Sequence, residues 1–253
     1  MNRIELLALT GIPRIAPGDD LARLVWEAAQ KDGIALADGV LVICQKVVSK
    51  AEGRLIELAG VVPSAEAQRL AAEDGKDPRH IEVVLRESAR VVKRGHRVLI
   101  CETRHGFVCA NAGVDQSNAS EDAGELVLLP EDPDGSARRL RAGIEAALGV
   151  RPAVVIADSF GRAWRLGQTD VAIGAAGIVP LDQWIGRPDG FGRDLRVTSI
   201  AVADGVAAAA DLGRAKDSLE PAVLVRGLDR FVTADDGPGA AALRRPREDD
   251  LFR

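Results

Sequence analysis

Residues 39–48 of the chain, GVLVICQKVV, form a run of branched apolar side chains that predicts a buried strand. A second apolar strand is predicted over residues 153–156, AVVI, and it leads to Asp158. Further strands are predicted at 1–9, 91–101, 106–112, 196–202 and 221–226, and helices at 21–31, 64–73, 80–88, 137–148 and 204–212. This alternation predicts a mixed α/β (α+β) fold. No repeat or linker divides residues 1–253, which we treat as a single unit.

The composition argues against several classes of function. With 33 basic and 38 acidic side chains and a net charge of −5, the chain has no electrostatic footprint for a nucleic-acid backbone. Cys44, Cys101 and Cys109 show no CxxC spacing, so neither a disulfide framework nor a zinc site is indicated. No apolar stretch has the length of a signal peptide or a membrane span. We therefore expect a cytoplasmic protein without nucleic-acid or membrane partners.

Two aspartates lie where predicted strands end. Asp115 follows one strand within NAGVDQSN at 111–118, and Asp158 follows the apolar strand at 153–156. Strand ends bring side chains to the rim of the sheet, where α/β proteins usually bind ligands. Two acids gathered there would repel unless a cation lay between them, and Mg²⁺ favours such oxygen ligands. The alternative is that each aspartate caps a helix or a turn.

Basic side chains occur in two of the polar stretches. Arg162, within GRAWRLGQTD at 161–170, offers bidentate donors for phosphate or carboxylate. The alternative is a solvated surface loop with Trp164 packed on the core. If the strand at 39–48 continues, Lys46 and Lys50 lie on one side of it and could meet an anion, although exposed edge lysines are common.

Common catalytic motifs are missing. The chain has no GxxxxGK[ST] phosphate loop, no GxGxxG dinucleotide motif and no GxSxG elbow, which argues against ordinary GTPases, kinases and serine hydrolases. His105 lies in a tight connection at 104–106, and a lone histidine is more often structural than catalytic. The residues by themselves indicate an α/β enzyme that uses a metal and a phosphate group.

Several longer motifs resemble signatures of the coenzyme F420-0:L-glutamate ligases. They are QKVVSKAEGR at 45–54, ETRHGFVCANAGVDQSN at 102–118, DSFGRAWRLGQTDVAIG at 158–174, GIP at 11–13 and DLF at 250–252. The similarity runs nearly from end to end, and long motifs in the same order are far more specific than one short pattern.

The resemblance implies both an activity and a fold. Enzymes of this family bind GTP and divalent cations, Mg²⁺ or Mn²⁺, with K⁺ as a further candidate. They join L-glutamate to a carboxyl group of F420-0, and further rounds can lengthen the γ-glutamyl tail. The implied fold is a mixed α/β arrangement of two intertwined lobes, generally a homodimer. The chain resembles the stand-alone form, without the C-terminal nitroreductase-like domain that some relatives carry.

The resemblance also implies roles for individual residues. Asp115, Asp158 and Ser159 match metal ligands of the family. Lys46 and Arg162 would join the two aspartates at the catalytic centre by adding positive charge. The residues that match GTP contacts are Gly11, Ile12, Pro13, Arg14, Gln45, Lys46, Lys50 and Asn118.

The chain departs from the family pattern at two places. Residues 213–220 match a segment that contacts the nucleotide and supplies a metal ligand, but this segment is about two residues longer than usual. Asp217, Glu220 or neither could take the ligand role. Gly205 follows Asp204 where the family commonly has glutamate. These departures leave two alternatives to the ligase, namely a same-fold ligase for a variant acceptor and a non-catalytic protein that binds nucleotide or F420.

Overall fold

The computed structural model describes residues 3–37, 39–116, 124–215 and 217–251. The helices are α1 (Leu21–Lys31), α2 (Gln45–Ala51), α3 (Ala65–Asp74), α4 (Pro78–Glu87), α5 (Pro133–Leu148) and α6 (Val202–Leu212). The strands are β1 (Glu5–Ala8), β2 (Val40–Cys44), β3 (Leu55–Glu57), β4 (Ser88–Gly95), β5 (Val98–Thr103), β6 (Val108–Ala110), β7 (Glu125–Val127), β8 (Ala153–Arg162), β9 (Arg165–Ala176), β10 (Leu181–Gln183), β11 (Ser199–Ala201) and β12 (Ala222–Arg226). The mixed α/β prediction is confirmed.

The largest sheet has the strand order β1-β12-β2-β8-β9. Strands β2 and β8 are parallel, with Cys44 opposite Ala157, and the other neighbours are antiparallel. Helices α1 and α5 cover one face of this sheet, and α6 covers the other. Because β2 and the first half of β8 are buried on both faces, they consist of continuous apolar runs rather than alternating ones.

The structure also contains three smaller sheets among the described residues. Strands β4, β5 and β6 form an antiparallel meander, β3 pairs with β7, and β10 pairs with β11. Helices α3 and α4 share a separate apolar cluster with side chains of β5 and β7. Cys44, Cys101 and Cys109 are free thiols, as expected. Among the residues described, no helix is both long and apolar enough to span a bilayer.

One edge of the large sheet gathers several segments. Strands β1, β2 and β8 run in the same direction and end toward this edge, while β12 runs the opposite way and begins there. The backbone N–H groups of Leu9 and Cys44 donate to the carbonyls of Ala222 and Pro221, which fixes these chain ends side by side. The segment after β2 and the one before β12 therefore lie near the distal half of β8, and the segment after β1 begins at the same end of the sheet, three strands away from β8.

The predicted strand at 39–48 is wrong in its second half. It ends at Cys44, and α2 begins at the next residue without a loop. Val47, Val48 and Ala51 all pack on the core cluster, which is the spacing of one helix face. Lys46 and Lys50 therefore share a side of a helix, one turn apart, and not a side of a strand.

The Gly-rich region after residue 161 contains a long strand that the sequence analysis missed. Strand β8 continues to Arg162 and turns back at once into β9. Trp164 lies at this turn with φ +59° and is 81% exposed, so the alternative of a tryptophan packed on the core is wrong. The predicted strand at 91–101 is likewise interrupted, because His96 and Arg97 adopt positive φ and form the turn between β4 and β5.

Candidate active site

Lys46 connects α2 to the segment that follows β6. Its Nζ lies 2.5 Å from Oδ2 of Asp115. The backbone of Asp115 is held by two hydrogen bonds with Val127, of 3.0 and 2.8 Å. The buried Gln45 Nε2 donates to the carbonyl of Leu128 at 3.0 Å. The start of α2 and the Asp115 segment are thus fixed to the same piece of backbone around β7, which positions the Lys46–Asp115 pair.

Asp158 lies on β8 just beyond the buried part of that strand. Its Oδ1 accepts a hydrogen bond from the backbone N–H of Ser159 at 3.0 Å. Burial raises the pKa of the Asp158 carboxyl to about 7, and the negative charges of Asp115 and Asp170 also favour the protonated form, whereas Lys46 opposes them. The structure therefore brings Asp115, Asp158 and Lys46 into one electrostatic cluster. With Ser159, we call these residues the carboxylate site.

A buried ion pair between Asp170 and Arg214 contacts the carboxylate site through Ser159. Ser159 Oγ donates to Oδ1 of Asp170 on β9 at 2.6 Å, and Arg214 Nη2 lies 2.5 Å from Oδ2 of Asp170. Arg214 Nη1 also donates to the carbonyl of Pro221 at 3.1 Å, just before β12. Neither Asp170 nor Arg214 is indicated as a site residue by the sequence alone. The β8–β9 register places Asp170 directly opposite Ser159, but no pattern in the sequence indicates the contact of Asp170 with Arg214.

Cationic side chains lie beside the carboxylate site. Burial lowers the pKa of Lys50, and the positive charges of Lys46 and Arg14 lower it further against the opposing effect of Glu125. Three cations within electrostatic range of one another repel, so an anion placed among them would be stabilised. Arg14 belongs to the Gly11–Ile12–Pro13–Arg14 segment that follows β1 at this sheet edge. The predicted phosphate contacts of α2 and of this segment are thus close in space.

Other predicted residues lie elsewhere. Arg162 is on the exposed end of the β8–β9 hairpin, where its Nη2 donates to the carbonyl of Leu166. Asp217 is exposed, whereas Glu220 is half-buried and lies directly before β12 at the site edge. Asn118 falls outside the described residues. The roles assigned to these four residues stay predictions.

His80 on α4 is a further neighbour of the carboxylate site. Burial lowers the pKa of its imidazole, and the nearby Asp115 carboxylate acts in the opposite direction. Its buried Nε2 has no hydrogen-bond partner among the described residues. No local pattern indicates this proximity, because His80 and Asp115 lie in different elements and meet only through tertiary packing.

The donor set of the carboxylate site suits a hard divalent cation. Over the described ranges, no three His, Cys, Asp or Glu side chains are grouped so as to hold a metal by themselves. Asp115, Asp158 and Ser159 nevertheless offer carboxylate and hydroxyl oxygens, which Mg²⁺ and Mn²⁺ accept together with substrate phosphates. A carboxyl whose pKa is raised by burial gains most from such a cation, because the cation offsets the cost of its ionisation.

The fold and these side chains together describe an α/β protein whose carboxylates and cations are gathered at one edge of a mixed sheet. Comparison with known protein families identifies the family to which such a chain belongs. The family described as F420-0:Gamma-glutamyl ligase matches residues 11–227. The chain belongs to this family.

Curated relatives match over their full length. A protein of Methanothermobacter thermautotrophicus named Coenzyme F420:L-glutamate ligase is 45% identical over 253 residues, covering 99% of both chains. A protein of the same name from Methanopyrus kandleri is 45% identical over 260 residues and covers all of both chains. The Methanocaldococcus jannaschii protein of that name is 38% identical, with 100% of this chain and 98% of the relative covered.

Proposed function

We propose that this protein is a GTP-dependent ligase that joins L-glutamate to coenzyme F420-0 in F420 biosynthesis, and that it can add further γ-linked glutamates. Family membership and the names of the full-length relatives support glutamate addition to F420. The observation that carries the proposal for the site is the cluster of Asp115, Asp158 and Lys46 beside the cationic face of α2. This arrangement suits a substrate that combines phosphate groups with a divalent cation.

The chemistry of amide formation explains the need for a nucleotide. A carboxylate does not react with an amine directly, because its oxyanion is a poor leaving group. Transfer of the γ-phosphoryl group of GTP to the acceptor carboxylate gives an acyl phosphate and GDP. The amine of L-glutamate then attacks the acyl carbon, loses a proton and displaces inorganic phosphate. No nucleophilic side chain is needed for either step, so positioning and charge account for most of the catalysis.

The residues of the site have three roles in this reaction, namely phosphate binding, metal binding and positioning. Lys46, Lys50 and Arg14 bind and orient the phosphate groups of GTP through their positive charge. Asp115, Asp158 and Ser159 would hold Mg²⁺ or Mn²⁺, which when bound neutralises charge on the phosphoryl oxygens. The buried Asp170–Arg214 pair fixes the Ser159 hydroxyl, because that hydroxyl donates to Asp170. Asp170 and Arg214 are positioning residues in this proposal.

Self-association is the second part of the proposal. The side chains of Trp164 and Leu166 on the β8–β9 hairpin are 81% and 97% exposed, and Phe191 and Val197 between β10 and β11 are 93% and 88% exposed. Exposed apolar side chains of this size are typical of interaction surfaces. We propose that a homodimer covers them. Light scattering coupled to size exclusion should then give a dimer mass. A monomer at micromolar concentration would contradict the proposal.

Mass spectrometry of the reaction products tests the ligase directly. Purified protein is incubated with F420-0, L-glutamate, GTP and Mg²⁺ or Mn²⁺, with ATP and chelator reactions as controls. We expect stepwise mass gains of one glutamyl unit, with GDP formed in proportion and no product in chelator. Unmodified F420-0 under every metal and nucleotide would overturn the proposal. GTP binding without transfer would instead favour the non-catalytic alternative, which Gly205 motivates.

A further inference from the structure

A cavity separate from the carboxylate site is lined by an unusual number of arginines. It has a volume of about 310 Å³, and its lining includes Glu102, His105, Arg244, Arg245 and Arg247. We call it the arginine pocket. An adjoining cavity of about 250 Å³ shares His105 and Arg244 with it. The volume of the arginine pocket is at the lower end of those in which proteins bind small ligands.

Within its own lining the arginine pocket has three arginines and one carboxylate, whereas the adjoining cavity is lined by three acidic side chains. Arg244, Arg245 and Arg247 form no ion pair with a carboxylate in the described part of the chain, although many other arginines do, including Arg54. Glu102, the acidic residue of the lining, accepts a hydrogen bond at 2.7 Å from Arg90, which lies outside the pocket. The lining of the arginine pocket therefore has more guanidinium groups than carboxylates, and the acidic residues Glu248, Asp249 and Asp250 follow in the chain outside that lining. Such a surface favours an anionic ligand.

Part of the arginine pocket is held in place before any ligand binds. Arg244 Nη1 donates to the carbonyl of His105, and its guanidinium carbon lies 5.8 Å from the centre of the Phe107 ring. The imidazole of His105 is fixed in turn, because its Nε2 donates to the carbonyl of Pro130 at 2.9 Å. Buried Nδ1 of His105 lacks a partner among the described residues. A guanidinium oriented in this way loses less conformational entropy when it binds an oxyanion.

The arginine pocket is close to the carboxylate site. The Phe107 ring meets the Phe160 ring edge to face, with centroids 6.2 Å apart. Phe160 lies on β8 two residues after Asp158. Arg244, Phe107 and Phe160 therefore form a series of contacts that leads toward Asp158, and a ligand that extends along it could reach both regions.

We propose that the arginine pocket binds the carboxylate groups of a glutamyl unit during ligation. Guanidinium groups bind carboxylates through two parallel hydrogen bonds, which suits a substrate with more than one carboxylate. These carboxylates have two possible sources, the incoming free L-glutamate and the γ-glutamyl tail of an acceptor that has already been extended. The inference rests on the proposed ligase function for the identity of the ligand.

Steady-state kinetics of a double variant test the pocket. Arg245→Gln/Arg247→Gln removes two guanidinium groups from its rim, and Arg230→Gln is the control, since Arg230 is exposed and stacks on Phe231 outside the pocket. If free glutamate binds there, the KM for L-glutamate should rise about ten- to a hundredfold, the range expected for losing hydrogen bonds between charged groups. If the tail binds there, the KM for an extended acceptor should rise while that for F420-0 does not.

Both outcomes support the arginine pocket and identify its ligand, provided that kcat and the control variant stay close to wild type. Unchanged KM values for glutamate and for both acceptors would overturn the inference. A wild-type protein without ligase activity would contradict the proposed function but would not test the pocket. In that case, calorimetry with L-glutamate and with a short γ-glutamyl peptide decides. Binding that the double variant loses supports the pocket, and binding that is absent or equal in both proteins overturns it.

Discussion

Asp158 and Asp170 are neighbours at the same sheet edge, yet their surroundings differ. Asp170 is 1% exposed, and its two oxygens are bound by Ser159 Oγ at 2.6 Å and Arg214 Nη2 at 2.5 Å. Asp158 accepts a hydrogen bond from the backbone of Ser159, and no described lysine or arginine forms an ion pair with it. Burial raises the pKa of Asp158 to about 7. Both oxygens of the Asp170 carboxylate are therefore bound by side chains of the protein, whereas the Asp158 carboxylate has no cationic side chain bound to it among the described residues.

This difference separates a positioning residue from a ligand-binding one. A buried carboxylate with a full set of partners stabilises its surroundings and leaves little for a ligand to gain. A carboxyl that is costly to ionise gains free energy when a cation arrives, so a pKa raised in this way at a sheet edge is typical of a functional site. Substitutions of the two aspartates and of the cationic side chains near them test this difference.

The largest effect should come from Asp158→Asn. The variant removes a proposed metal ligand and the charge that is costly to bury, so we expect turnover to fall at least about 10³-fold while the folded state is retained. Product formation by mass spectrometry and the thermal midpoint in chelator measure the two effects. Asp229→Asn, at an exposed carboxyl, is the matched control. Unchanged turnover of Asp158→Asn would remove Asp158 from the site.

Arg214→Met should act mainly on stability. It leaves the buried Asp170 carboxylate without its cation, which costs about 3–5 kcal/mol of the free energy of unfolding. Urea denaturation measures the loss, and the double variant Arg214→Met/Asp170→Asn should recover part of it. Arg23→Met breaks the exposed Arg23–Glu27 pair and should leave the midpoint unchanged. A loss no larger than that of the Arg23 variant would show that Asp170 does not depend on Arg214.

Much of the fold could be predicted from local sequence. Helix α1 has the predicted bounds, because Asp20 accepts from the N–H of Arg23 as N-cap and the apolar spacing follows one helix face. The boundary between β2 and α2 could not be predicted, because no glycine or proline marks it. The apolar run there fits the spacing of a buried strand as well as that of a helix face. Strand β9 begins with RLGQTD at 165–170, which lacks an apolar run or alternation, so its existence depends on pairing with β8 rather than on its own composition.

The site was predictable to a similar degree. Asp115 and Asp158 could be placed from their positions after predicted strands, and the family motifs added their match, and that of Lys46, to site residues of the family. The Asp170–Arg214 pair joins residues 44 positions apart, and no local pattern indicates it. The same applies to His80, which approaches Asp115 only after α4 has packed against the segment around residues 111–113. Both of these contacts depend on long-range packing, which local sequence patterns do not indicate.

Lys46→Gln should reveal how far a nearby cation controls Asp158. Lys46 lowers the pKa of Asp158, so its removal should raise that pKa and move the acidic limb of the pH–rate profile to higher pH. The KM for GTP should also rise about ten- to a hundredfold, since a charged contact with phosphate is lost. Lys93→Gln, at an exposed lysine, is the control. An unshifted acidic limb would contradict the assigned coupling.

The smallest expected effect is on the pH dependence of stability. In the folded state the pKa of Asp158 is about 7, above its ordinary value of 3.8, so the folded protein binds more protons than the unfolded chain between these values. Stability should therefore fall as pH rises from about 4 to 7 and then level off. Asp158→Asn cannot ionise and should lose less stability over this interval. Urea denaturation of both proteins in chelator measures the difference. Parallel curves of stability against pH would show that Asp158 ionises as freely as an exposed aspartate, which would contradict the prediction. Adding Mg²⁺ should flatten the wild-type curve near pH 7, because the cation favours the ionised carboxylate in the folded state.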